Sequence, residues 1–157
     1  MKEKILEAFR DLGFKLEEEE GMGYCFNYEG LNLLYMYNEN DEEFLNIALP
    51  GIVEVEEDRM LQICALLEKI NSTLKYVKTY MLGNSVWLFY ERELFGEEDL
   101  MTVISRMILH LEAGLVFARK AMAEIEETMA NESSDDDTAE SAEEIVAEEI
   151  ADDEDNE

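Results

Sequence analysis

The stretch that decides the fold is YVKTYMLGNSVWLFYER at 76–92, followed after an acidic link by LMTVISRMILHLEAGLVFARKAMAEI at 100–125. The first part is rich in aromatic and β-branched residues on both sides of Gly83-Asn84, which predicts a β-hairpin. The second part repeats apolar residues near every 3.6 positions, which predicts one amphipathic helix from about Glu97 onward. A helix that continues to about residue 129 is roughly 50 Å long, so we expect its far half to need another surface or to bend near Gly114.

Upstream of this stretch, the hydrophobic pattern predicts two helices and three strands. The helices are expected at 2–12, where Gly13 stops the first, and at 56–71. The strands are predicted at 22–28, 31–37 and 44–49, with a tight turn at Glu29-Gly30 and a stop at Pro50-Gly51. The block Glu17 to Glu20 is interpreted as a solvated link because it carries only like charge.

The predicted order of elements is α-β-β-β-α-β-β-α. Strands that follow one another through short links pair in an antiparallel manner. The sequence therefore predicts an α+β fold, with a five-stranded antiparallel sheet packed with helices.

Acidic residues divide the chain into two parts. The 157 residues carry 40 Asp or Glu against 12 Lys or Arg, a formal charge of -28, and 14 of those acids lie in 131–157 with no basic residue among them. A segment so polar buries too little apolar surface to offset the entropy of ordering. We predict one folded domain at 1–130 and an acidic disordered tail at 131–157. An alternative is that Ile145, Val146 and Ile150 let the tail form a short helix against a partner or against the body.

The charge also limits the partners. A strongly acidic chain is repelled by nucleic acid and by anionic membrane surfaces, so neither is expected as a partner. We expect no apolar run long enough to cross a bilayer and no secretion signal at the N-terminus. Cys25 and Cys64, interpreted as small core residues, are typical of a reduced compartment. These observations predict a bacterial-type cytoplasmic protein.

No motif in the chain carries catalytic, metal-binding or cofactor-binding chemistry. The single histidine, His110, lies at the margin of the long helix's apolar stripe with no second histidine or cysteine at ligand spacing. It is interpreted as a partly buried structural residue. No phosphate loop and no set of nucleophile and base is found. We therefore expect no enzyme, no metal and no cofactor.

Both faces of the predicted sheet carry apolar residues. Val86, Leu88 and Tyr90 alternate with Trp87 and Phe89, and the strand at 22–28 has the same two-sided pattern. One face of an antiparallel sheet is commonly solvated, so a second apolar face indicates a dimer interface or a peptide groove. The alternative is that the long helix and a loop cover this face within one chain. The candidate protein-contact residues are Tyr24, Phe26, Tyr28, Tyr76, Tyr80, Trp87 and Phe89.

Several segments of the chain resemble the YbjN family of small bacterial proteins. The likeness is carried by Leu66-Leu67-Glu68-Lys69-Ile70-Asn71, the hairpin 76–92, and Asp99-Leu100 leading into 111–117, and it covers about residues 2–125. YbjN-like domains share their plan with type III secretion chaperones, which are small, acidic and usually dimeric. The resemblance implies a role in binding other proteins.

Three functional hypotheses follow. The first is a dimeric cytoplasmic adaptor or regulator that binds a segment of another protein. The second is a type III secretion-type chaperone that holds an extended effector or client segment, with the acidic body favouring basic clients. The third, with the least support, is an enzyme that uses Glu or Asp alone.

Overall fold

The computed structural model describes the backbone of residues 1–152 and the side chains of residues 1–132. The elements, in chain order, are α1 (Lys2–Asp11), β1 (Glu17–Glu19), β2 (Gly23–Tyr28), β3 (Leu31–Met36), β4 (Phe44–Glu54), α2 (Met60–Thr73), β5 (Val77–Leu82), β6 (Ser85–Glu93) and α3 (Leu100–Asp152). One turn of 3-10 helix, Glu57–Arg59, leads into α2. The predicted α+β class with an antiparallel sheet is confirmed. The predicted acidic tail, 131–157, lies almost wholly outside the described side chains, so its disorder stays a prediction.

The sheet has six strands, and the prediction of five is wrong. The strand order is β1-β2-β3-β4-β6-β5, and every neighbouring pair is antiparallel. The additional strand is β1, which lies in the segment interpreted as a solvated link, and its Glu17 pairs with Cys25. Backbone hydrogen bonds build this strand whatever its side chains are. Glutamates on an edge strand also hinder pairing with another chain.

Strand β4 continues through Pro50 and Gly51, so the predicted strand end at these residues is wrong. The pairing of β4 with β6 is regular from Phe44 to Leu49, shifts between Leu49 and Val53, and then resumes. Gly51 lies at φ +65°, as expected for a bulge. A proline is tolerated there because a bulge interrupts the hydrogen-bond ladder.

Both predicted tight turns are present. At Glu29-Gly30 both residues have positive φ, 46° and 83°, as in a type I′ turn. Asn27 Oδ1 accepts a hydrogen bond from the Gly30 N–H at 3.2 Å and so supports that turn. In the later hairpin Gly83 has φ +63°. These turns set the register of the strand pairs that they join.

The three helices pack on one face of the sheet and form the main core with it. Within α3, eight residues spaced three or four apart are buried. They are Ile104, Met107, Ile108, Leu111, Leu115, Ala118, Ala121 and Met122. The far part of the helix is covered by α2, to which Lys69 and Glu124 add an ion pair at 2.6 Å.

One segment is long and apolar enough to cross a membrane by length and composition, so the sequence expectation of no such run is wrong. It is Leu100–Glu132, with a mean hydropathy of 1.5 in its 18-residue window, of which 33% is buried in the fold. The apolar residues that raise the hydropathy include the buried stripe of α3. A core helix passes the same test, and the expectation of no membrane partner stays a prediction.

Candidate functional site

The seven predicted contact residues lie in three different places. Neighbouring residues along a strand point to opposite faces, so the strand register assigns each ring to a side of the sheet. Tyr24, Phe26 and Tyr28 lie on the face that the helices cover. Tyr80, Trp87 and Phe89 lie on the opposite face, and Tyr76 lies just before the edge strand β5.

The β2 rings belong to the covered side of the sheet. Phe26 is 4% exposed, and its ring centroid lies 4.9 Å from that of Phe9 and 5.0 Å from that of Phe14. The prediction of Phe26 as a contact residue is therefore wrong, because α1 and the segment after it cover this ring. Tyr24 and Tyr28 are half-buried against the same core. These three rings stabilise the fold.

The opposite side of the sheet carries a continuous row of rings, on which no described helix packs. The Tyr80 and Phe89 rings are parallel, with centroids 4.1 Å apart and planes inclined by 4°. The Trp87 and Phe89 centroids are 6.0 Å apart. Together with their apolar neighbours these rings form a surface that we name the open face. It consists of Cys25, Leu34, Met36, Ala48, Tyr80, Leu82, Trp87 and Phe89.

Burial varies strongly across the open face. Phe89 and Ala48 are fully covered by their neighbours, whereas Tyr80 is 39% and Leu82 is 38% exposed. Trp87 is half-buried, and its Nε1–H donates to Ser85 Oγ at 2.9 Å. The parallel ring stack and this hydrogen bond hold the aromatic row in place. A stiff apolar row of this kind is suited to contact another protein.

One end of the open face is polar. Asn46 Nδ2 donates to Glu91 Oε1 at 2.9 Å, and Glu91 also forms an ion pair with Lys78. Asn46 Oδ1 is buried and has no hydrogen-bond partner in the described part of the chain. A buried amide oxygen without a donor is costly, so Asn46 leaves an unsatisfied acceptor beneath this end of the open face.

A cleft of about 390 Å³ adjoins this polar end. Asn46, Glu91 and Met36 form the side of the cleft that belongs to the open face, and Phe44 and Met22 supply exposed apolar groups. The open face therefore continues into a recess with both apolar and hydrogen-bonding walls.

The titratable groups of the aromatic row stay uncharged at neutral pH. Burial, followed by the nearby Glu19 and Glu17, raises the pKa of the Cys25 thiol. Burial, followed by Glu91, raises the pKa of the Tyr80 hydroxyl, and Lys78 opposes this. A higher pKa in each group favours its protonated, neutral form. The open face thus presents neutral apolar groups in an otherwise acidic protein.

Two sequence interpretations outside the open face are also wrong. Cys64 is exposed on α2, although it was interpreted as a core residue. His110 is exposed on α3 and contacts the rings of Tyr76 and Tyr90, with centroids 5.2 Å and 5.8 Å away, although it was interpreted as partly buried. Both lie at the margin of an apolar stripe, where the rotation of the helix about its own axis determines whether the side chain is buried or exposed.

Sequence reasoning missed Asn46 and Arg106. Asn46 lies among apolar residues in β4. Alternation along the strand places it on an apolar face, and a polar residue at such a position is a sequence signal that could have identified it. Arg106 had no signal, because an arginine on the polar side of a helix is ordinary. Arg106 lines a cleft between α3 and the neighbouring ends of β5 and β6, and this cleft forms only when the helix packs beside the sheet.

The carboxylates of the described side chains do not converge. No group of three His, Cys, Asp or Glu side chains in residues 1–132 could hold a metal ion. Every Asp and Glu in that range is at least partly exposed.

The fold has solved counterparts, although no family model and no curated protein matches the chain. YbjN from E. coli, a proposed transcription regulator, superposes with a TM-score of 0.58 at 14% identity, over 75% of this chain and 90% of that chain. An uncharacterized protein from Methanothermobacter thermautotrophicus superposes with a TM-score of 0.52 at 17% identity, over 81% and 97%.

The geometry defines a small α+β domain whose helices cover one face of an antiparallel sheet and leave the other open. Its fold is YbjN-like, which confirms the resemblance predicted from the sequence. The likeness to secretion chaperones stays a prediction.

Proposed function

We propose that this chain is a cytoplasmic, non-enzymatic adaptor with a regulatory role, which binds a segment of another protein on the open face and acts as a dimer. The observation that carries the proposal is the aromatic row opposite the helices, in which exposed Tyr80 and half-buried Trp87 flank the fully buried ring of Phe89. Stiff aromatic side chains supply contact area at a small cost in conformational entropy. The description of YbjN as a proposed regulator supports the regulatory part by likeness of fold alone.

The charge of the chain indicates the chemistry of the partner. At a formal charge of -28, the protein attracts basic segments and repels acidic ones. Glu91 lies at the end of the aromatic row, where its partly exposed carboxylate can accept hydrogen bonds from an ammonium or an N–H group. We therefore propose a partner segment in which apolar and basic residues alternate, because alternate side chains of an extended segment point to the same side.

A different surface is available to a second copy of the chain. On α3, Val116 is 63% and Leu109 is 52% exposed, and their spacing of seven positions places both on one side of the helix. An apolar pair at this spacing is typical of a helix that packs against another helix. We propose that two copies pair along this side of α3, which leaves both open faces accessible.

A narrower version of the function is the secretion-type chaperone that the sequence resemblance implies. A secretion-type chaperone holds its client in a non-globular state, whereas an adaptor also binds folded partners. Hydrogen exchange of a captured partner distinguishes the two, since a chaperoned segment stays unprotected outside the contact region. A carboxylate-dependent enzyme has the least support, because the described carboxylates do not converge.

The test of the open face uses two neighbouring residues with equal exposure. Tyr80 and Met81 are each 39% exposed, but they point to opposite sides of β5. A photoreactive residue is placed at either position in the full chain, and cross-linked products are collected from the cells that express it. We expect a discrete partner from position 80 and none from position 81. Equal products from both positions, or none from position 80, would contradict the proposal.

A further inference from the structure

A second cleft, of about 440 Å³, lies on the helix side of the sheet, away from the open face. It is formed where the first turns of α3 pass the start of β5 and the end of β6. Its walls include two of the five arginines of the chain and the single histidine. These residues are Arg92, Arg106 and His110.

The two arginines are an unusual feature of so acidic a chain. Arg92 pairs with Glu98 at 3.5 Å, but that carboxylate also accepts the N–H groups of Phe95 and Gly96 at 2.8 Å and 2.9 Å. Asp99 is committed to the backbone and hydroxyl of Thr102 at 3.4 Å and 2.7 Å. Arg106 makes no ion pair with any described residue. Two guanidinium groups in one cleft repel each other, and an anion between them would remove that cost.

The aromatic wall of the cleft is held in a strained conformation. Tyr76 is a non-glycine residue at φ +69°, a left-handed conformation that residues with a Cβ rarely adopt. Its ring stacks on Tyr90, with centroids 5.7 Å apart and planes inclined by 18°, and contacts the His110 ring. Tyr76 is nevertheless 64% exposed, so part of its ring is free to contact a ligand. Such strain is found where a side chain is held for contact.

We propose that this cleft binds a small molecule that joins an oxyanion to an aromatic ring. Arg106 and Arg92 bind the oxyanion through the paired N–H groups of their guanidinium planes. The exposed part of Tyr76 stacks on the ligand's ring, and His110 lies beside both. The site is separate from the open face and does not rest on the adaptor proposal. Phosphate and carboxylate are both suited to the arginines, and the probes below distinguish them.

The experiment uses the full chain and four probes: phenyl phosphate, benzoate, inorganic phosphate and phenol. Because the chain has one histidine, its imidazole carbon-bound protons give a single set of NMR signals that report on this cleft. We expect phenyl phosphate or benzoate to shift these signals in a saturable manner, and the tighter of the two identifies the oxyanion. Inorganic phosphate and phenol are expected to bind at least about tenfold more weakly, since the first lacks the aromatic ring and the second lacks the oxyanion.

Two substitutions that each remove one positive charge test the contact between Arg106 and the oxyanion. Arg106→Gln should weaken binding by about tenfold to hundredfold, the range for one lost charge-assisted hydrogen-bond pair. Arg119→Gln removes the same charge from the same helix outside the cleft and should leave binding unchanged. The absence of saturable shifts with both ring-bearing probes would overturn the proposal, and so would an equal loss in the two variants. The wild-type titration decides the matter even if a variant does not fold.

Discussion

Asn71 places both ends of its side-chain amide on the backbone of Thr79: Nδ2 donates to the Thr79 carbonyl at 2.9 Å, and Oδ1 accepts the Thr79 N–H at 2.8 Å. A side chain from α2 thus occupies the outer edge of β5, where a neighbouring strand would otherwise pair. The Thr79 hydroxyl in turn donates to the Trp87 carbonyl at 2.7 Å. Asn71 is one of the residues that carry the resemblance to YbjN, and its position explains why an asparagine is needed there.

Replacement of Asn71 by alanine should lower the free energy of unfolding by about 1–3 kcal/mol, because two partly buried backbone groups lose their partner. Urea denaturation of the two proteins measures the difference. Ser72→Ala is the matched control, since that neighbouring hydroxyl makes one long, exposed bond of 3.4 Å to Lys69. A loss for Asn71→Ala no larger than that of the control would contradict the assignment.

Gly23→Ala should destabilise the protein by about 3 kcal/mol, the range of a backbone clash at a special conformation. Gly23 has φ +142°, and an added Cβ would lie 2.0 Å from the Tyr35 carbonyl oxygen in the neighbouring strand. Gly21→Ala is the control, because its Cβ meets nothing within 4 Å and only the left-handed strain of about 1 kcal/mol remains. Thermal unfolding of both variants checks the prediction, and equal losses would refute it.

Glu98 should contribute stability at neutral pH that disappears in acid. The Phe95 N–H, and to a smaller extent the Gly96 N–H and Arg92, lower the pKa of this carboxyl in the folded state. A group with a lowered pKa stabilises the fold above its unfolded pKa and loses this effect as pH falls through its folded pKa. The stability difference between wild type and Glu98→Gln should therefore shrink as pH falls through 4.5, the ordinary pKa of a glutamate, and on through the lowered pKa of the folded state.

Denaturant titrations across this pH range measure the effect. Glu97→Gln, at the neighbouring position, is the control for the loss of one acidic charge. A difference in the free energy of unfolding between wild type and Glu98→Gln that stays constant with pH would contradict the prediction. It would show that the hydrogen bonds stabilise the fold independently of the charge on the carboxylate.

Val116→Lys should convert the proposed dimer to a monomer without unfolding it. The valine is 63% exposed, so a lysine there places its charge in water in a single chain but inside the interface of a pair. Multi-angle light scattering gives the mass of each form. Met101→Lys is the control, an apolar residue of α3 that is 38% exposed. A monomeric wild type would end the dimer proposal.

Truncation after Glu132 should leave the free energy of unfolding unchanged within about 0.5 kcal/mol, as for surface changes in general. Among the described side chains of α3, the last buried one is Met122, and Ile125 is partly buried. The removed acids account for nearly half of the net charge, so association of the shortened chain should depend less on salt. Light scattering at low and high salt compares the two forms. A large loss of stability would show that the tail packs on the body.

The strongest periodic signals predicted the fold correctly, and the errors have physical causes. The 76–92 hairpin and the long helix were predictable because their alternation and their 3.6 period each extend over many residues. Strand β1 was missed because an edge strand of glutamates has no apolar alternation. Strand β4 passes Pro50 because a bulge removes the need for a donor, and bulges depend on the partner strand.

The candidate site was only partly predictable. Alternation correctly separated Trp87 and Phe89 from Val86, Leu88 and Tyr90, but it could not show which apolar side the helices cover. For that reason Phe26 was grouped with the surface rings, although it is buried. Arg106 and Tyr76 line one cleft from elements that are distant in sequence, and the local pattern of neither residue predicts that they share it.

The two edges of the sheet limit the length of the partner segment proposed for the open face. Glutamates lie along one edge, and Asn71 occupies part of the other, so the sheet is not built to be widened by further strands. Six strands at about 4.8 Å spacing span about 24 Å. An extended chain that crosses them covers this distance in about seven residues, of which alternate ones, three or four, face the aromatic row. The width of the sheet therefore matches the length of a short linear motif.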